Sequence, residues 1–164
     1  MPCIWGLHSG RQLFCALAII PADAPGVLGM PYGSSFTGVL KGVRALIDTG
    51  ATTTCITSRL ARDLNLQPVG KVQVHGVSGV VAHNSYLFLV GFPFAVAPGT
   101  PLPPGHPPPG PGETTTQTHI LEKIIEGCEF NGGDNPAFDV LLGMDVISTG
   151  SLVVQANGTF SFSF

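Results

Sequence analysis

Charge is scarce in this sequence: Asp, Glu, Lys and Arg together make up 10% of 164 residues, and the formal net charge is −3. Without a basic surface the chain has nothing to neutralise a run of phosphates, which excludes nucleic acid as a partner. Cys-x-x-Cys pairs are also missing. Cys3, Cys15, Cys55 and Cys128 stand far apart, as do His8, His75, His83, His106 and His119. No ligand set for a metal emerges, so the cysteines are expected to be ordinary buried thiols and the histidines structural or surface residues. The apolar run Leu13 to Ile20 is far too short to cross a bilayer, which argues against stable membrane insertion. Gly76-Val77-Ser78-Gly79 lacks the Lys-Ser/Thr and the helix start of a phosphate loop, so no cofactor is expected.

What the chain does hold is apolar residue, 44% of the total, enough at this length for one globular domain spanning 1–164. One stretch departs from that composition. From Ala97 to about residue 118, proline and glycine are too dense for sheet or helix, which predicts an exposed loop inserted in the domain. Pro101-Leu102-Pro103-Pro104 suits polyproline II and a partner that reads it, but a tolerated insertion is the favoured reading.

At the N-terminus, Arg11 precedes Leu13-Phe14-Cys15-Ala16-Leu17-Ala18-Ile19-Ile20, and Ala22-Asp23-Ala24 imitates a signal-peptidase site. A secretory signal stays open as an alternative. The late position of the basic residue and the Pro25 that cleavage would expose favour a buried first strand and a cytoplasmic protein. A loop from Pro21 to Gly33 then leads into a strand over about Phe36 to Ile47.

That strand ends in Ala45-Leu46-Ile47-Asp48-Thr49-Gly50-Ala51, where an apolar run delivers one carboxylate into a turn of small residues. Gly50 supplies the freedom for a sharp turn, and Thr52 to Thr57 resumes as a β-branched strand. A carboxylate there loses water on several sides and needs partners or a shared proton. Ser58 to Leu66 spaces Leu60, Ala61 and Leu64 as a short helix behind a Thr/Ser cap. Lys71 to Val81 alternates around a Gly-rich centre, which predicts a hairpin with His75, Gly76, Val77, Ser78 and Gly79 at its tip. Tyr86 to Val90 reads as another strand. At the end of the chain, Asn157-Gly158 marks a hairpin between alternating strands. Phe160, Phe162 and Phe164 share one face, to be buried in the core or against a second subunit.

Hydrophobic-hydrophobic-Asp-Thr-Gly-Ala resembles the active-site signature of aspartic peptidases, and Phe138 to Ile147, with Leu142-Gly143, resembles the apolar-apolar-Gly element that closes each half of that fold. About ninety residues separate the two, which is similar to the single-lobed, retropepsin-like branch. The resemblance implies an all-β fold: a retropepsin-like closed barrel or sandwich half with a flap hairpin and one or two short helices. It makes the 71–81 hairpin the flap over substrate and Lys123 to Phe130 a strand, although Ile120, Leu121, Ile124 and Ile125 also fit helical spacing. It further has Asp145 begin the family's well-formed helix and gives Asp139 no catalytic counterpart.

The implied activity is that of an aspartic-type endopeptidase acting on peptide or protein substrates. Two close carboxylates share one proton, so that one takes a proton from water while the other gives one to the peptide carbonyl. Such a pair titrates in two macroscopic steps. Only one Asp-Thr-Gly is present, so the resemblance implies a homodimer pairing Asp48 with its symmetry mate. Thr49 is implied in the hydroxyl network between the two loops, and Gly50 and Ala51 in loop support. Thr52 and Thr53 stand where many retroviral enzymes carry acidic residues, and Met144 stands where an arginine brace would be. Those departures keep a second class open, a catalytically inactive peptide-binding or dimerisation module on the same fold.

Overall fold

A computed structural model describes residues 3–9, 12–24, 41–76, 79–96, 115–133 and 137–164. In chain order the elements are β1 (Cys3–Ser9), β2 (Gln12–Pro21), β3 (Lys41–Ile47), β4 (Cys55–Thr57), α1 (Ser58–Asp63), β5 (Gly70–Gly76), β6 (Gly79–Val96), β7 (Thr115–Ile120), β8 (Ile125–Phe130), β9 (Val140–Leu142), α2 (Met144–Ile147), β10 (Ser151–Val154) and β11 (Thr159–Ser163). Among the described residues the fold is all-β with two short helices, as expected.

Pairing runs β10-β11-β1-β2-β3-β9-β4-β8-β6-β5, and a further β2–β6 ladder joins β2, β3, β9, β4, β8 and β6 into a ring. Closing the sheet on itself removes strand edges and gives the inward side chains one shared interior. Leu17, Ile19, Ala45, Ile56, Phe88, Val90, Phe92, Ile125, Val140 and Leu142 are buried in that core. The residues alternating with them on β3, Gly42 and Arg44, are exposed.

The Asn157-Gly158 turn forms as expected, with Gly158 at φ +88°. β11 then lies against both β10 and β1. Phe160 and Phe162 are 1% exposed, and the Phe92 ring lies 5.6 Å from that of Phe162 and 4.4 Å from that of Phe164. Phe160 and Phe162 are therefore core residues of a single chain, and Phe164 is half-buried against Phe92.

Several expectations need correction. Cys55 and Cys128 are not free thiols but a disulfide: β4 and β8 run parallel with these two residues in register, their Cα atoms 4.6 Å apart. Cys3 and Cys15 are free. The predicted 97–118 loop ends earlier, because residues 115–118 already belong to β7, paired with the far end of β6; residues 97–114 lie outside the described set. Tyr86 to Val90 is no separate strand but the middle of the 18-residue β6. β1 was not anticipated, since Trp5 and Leu7 point outward at 73% and 77% exposure and blur its alternation. The expected helix at Asp145 is a single turn, four residues long. Of the strand predicted from Phe36, residues 41–47 form β3 and 36–40 lie outside the described set, as does most of the 21–33 loop.

Candidate active site

β3 carries Ile47 into the core and stops, and Asp48 turns out of the sheet half-buried. Its amide donates to the Leu142 carbonyl at 3.0 Å, which extends the parallel β3–β9 ladder by one bond. Its Oδ1 accepts the Gly50 amide at 2.8 Å, and its carbonyl accepts the Ala51 amide at 3.2 Å. Asp here closes its own turn through its side chain. The hydrogen bonds among the described residues engage Oδ1 and leave Oδ2 open, while Thr49 and Gly50 are exposed beside it.

After the turn the chain re-enters the sheet as β4, on the opposite side of β9 from β3. The Asp48 loop thus straddles β9 and the start of α2. Met144 N donates to Ala51 O at 2.8 Å and Asp145 N to Thr52 O at 3.2 Å. Gly143 N donates to Thr54 Oγ1 at 3.1 Å, and that hydroxyl donates to Asp145 Oδ1 at 2.7 Å. The Thr54 amide reaches both carboxylate oxygens of Asp145 at 3.0 Å. The sequence-predicted Asp48, Thr49, Gly50, Ala51, Leu142 and Gly143 therefore come together at one place.

The hairpin residues belong to the β5–β6 pair. His75 is exposed and pairs with Val80, and Gly76 pairs with Gly79, which has φ +114°. Val77 and Ser78 lie outside the described set. Among the described residues no hydrogen bond joins the hairpin tip to the Asp48 turn. Asp139 is ion-paired to Arg59 at 2.7 Å rather than turned toward Asp48. That contact holds the Arg59 guanidinium above its usual range, by hydrogen bond first and charge second.

Two residues escaped the sequence reading. Thr54 is fully buried, and Asp145 does more than begin a helix. The signal was present in Thr52-Thr53-Thr54, since one hydroxyl of such a run turned inward needs a buried partner. Among the described residues no three or more His, Cys, Asp or Glu gather to hold a metal ion. No described helix is long and apolar enough to cross a membrane.

Residues 37–88, which contain the Asp48 turn, α1 and the β5–β6 hairpin, match the family described as "gag-polyprotein putative aspartyl protease". A retropepsin-like aspartic protease from Rickettsia conorii, known from a crystal structure, is similar with a TM-score of 0.48 and 12% identity, over 98% of this chain and 90% of that one. No curated protein matches the chain.

Proposed function

We propose that the chain is a retropepsin-like aspartic peptidase, an endopeptidase whose reacting acid is Asp48, working with the partner subunit's Asp48 in a homodimer. The observation that carries this reading is the Asp48 turn. One carboxylate oxygen is held by the Gly50 amide, the other has no hydrogen-bond partner among the described residues, and exposed small residues flank it, so water and an extended peptide can approach.

In the paired state one carboxyl is protonated and the other ionised, because two like charges in contact cannot both form cheaply. The ionised group takes a proton from a bound water as the water oxygen bonds to the peptide carbon. The protonated group gives its proton to the carbonyl oxygen. Collapse of the tetrahedral species breaks the C–N bond: the carboxyl that took the water proton delivers it to the leaving nitrogen, and one hydroxyl proton of the diol returns to the other carboxylate. The scarcity of charge favours substrates with apolar side chains on both sides of that bond.

The test is turnover of an unstructured protein mixture between pH 4 and 7 by the native chain, with and without a hydroxyl-containing transition-state mimic, and by Asp48→Asn. Cleavage that the mimic blocks and the variant lacks is the expected result; equal turnover by Asp48→Asn removes the assignment. Specific activity should also fall on dilution, because each subunit brings half of the acid pair. Should the native chain bind peptides without cleaving them at any concentration, the inactive binding module is the correct reading.

A further inference from the structure

We propose that Thr54 and Asp145 are positioning residues for Asp48: a side-chain lock that sets where the reacting carboxylate sits over β9. This deepens the reading above and rests on it for the identity of the reacting acid. Asp48 has mostly local bonds of its own, to Gly50 and Ala51, and these fix the shape of the turn without fixing its place. Placement comes from bonds between 48–54 and 142–145. Among these, Asp48 N to Leu142 O, Met144 N to Ala51 O and Asp145 N to Thr52 O are main-chain contacts that either segment would keep after a side-chain change.

The remaining contacts all pass through the Thr54 hydroxyl and the Asp145 carboxylate. Gly143 N–H donates to the hydroxyl, the hydroxyl donates to Oδ1, and the Thr54 amide donates to Oδ1 and Oδ2. Val146 N also donates to Oδ1, at 2.9 Å, which is all that starting α2 requires of an acid. The bonds to Thr54, 91 residues away in sequence, are additional. A carboxylate that accepts several hydrogen bonds in a part-buried contact is stiffer than the neutral bonds around it. Cys55, the next residue, is tied to Cys128, and Cys128 N donates to Thr54 O at 3.2 Å, so the lock is anchored on its far side as well. Displacing a reacting group by about 1 Å costs up to about a hundredfold in rate.

The experiment compares Thr54→Val, Thr54→Ser and Asp145→Asn with the native chain. It measures kcat and KM on a cleaved peptide and, independently of turnover, the amide NMR shifts of Asp48 and Gly50 with those of β5 and β6 as internal reference. Thr54→Val is expected to lower kcat by about ten- to a hundredfold, to leave KM within about twofold, and to move the Asp48 and Gly50 amides while β5 and β6 stay put. Thr54→Ser, which restores the hydroxyl, should restore both readouts. Asp145→Asn keeps an oxygen for the hydroxyl but loses the charge, and should fall between; it also serves as the second variant if Thr54→Val does not fold. Unmoved Asp48 and Gly50 amides in both Thr54→Val and Asp145→Asn, or failure of Thr54→Ser to restore the shifts, overturns the lock. If the native chain cleaves nothing, the peptidase assignment fails and the NMR comparison alone still decides the lock.

Discussion

A Cβ added to Gly143 would lie 2.6 Å from the carbonyl carbon of Thr53 and 2.9 Å from the Thr54 nitrogen. The closing glycine is thus a matter of space: β9 and the segment leaving the Asp48 turn approach too closely for any side chain, and both neighbours are backbone. Gly143→Ala must push the two segments apart, stretching the Gly143 N to Thr54 Oγ1 bond. We expect a loss of about 1–3 kcal/mol of stability, the range for overpacking, in urea unfolding, together with a drop in turnover. An alanine variant as stable as the native chain would show that the two segments can separate freely.

The tail makes a second prediction. Phe162 is 1% exposed and edges against Phe92, so its removal opens a cavity in the core. Phe162→Ala should cost about 3–5 kcal/mol, with the same loss at high and low protein concentration. A loss that shrinks on dilution would place this ring at a subunit contact instead.

Local chemistry was legible in the sequence, and long-range register was not. Asp48-Thr49-Gly50, the Asn157-Gly158 turn and the helix behind Thr57 each depend on a few adjacent residues, and each formed; Thr57 Oγ1 accepts the Leu60 amide at 3.2 Å as a cap should. The Cys55–Cys128 bridge depends on two strands meeting in parallel across 73 residues, which no local pattern records. β7 was missed for a related reason: Thr115 to Ile120 is mostly polar and becomes a strand only because the end of β6 lies beside it. In the same way the Asp145 carboxylate reads as a helix start until Thr54 is seen against it.

The bridge itself can be tested. It closes a long loop, and removing such a cross-link costs about 2–4 kcal/mol by relaxing the unfolded chain. Urea midpoints of the native protein should fall when reductant is added, whereas those of a Cys55→Ala/Cys128→Ala double variant should be lower and indifferent to it. Identical midpoints for the native chain with and without reductant would mean that the two sulfurs contribute as thiols.

Alkaline stability turns on Cys15, a buried thiol on β2 paired with Ala45 of β3, whose burial pushes its pKa from 9.0 up to about 12. The folded chain therefore keeps this proton to higher pH than the unfolded chain does. Between those two values the unfolded state binds fewer protons, so stability falls as pH rises, starting near the unfolded pKa and steepening to at most about 1.4 kcal/mol per pH unit. Burial also raises the Tyr86 hydroxyl, helped by its bond to Glu129, and adds a slope of the same sign that begins nearer pH 10. Cys15→Ala loses some packing at every pH, so the comparison lies in the slope: urea unfolding from pH 8 to 11 should show a shallower alkaline decline in the variant, with the Tyr86 contribution left over. Parallel declines in the two proteins would mean that the Cys15 proton is released as readily from the folded chain as from the unfolded one.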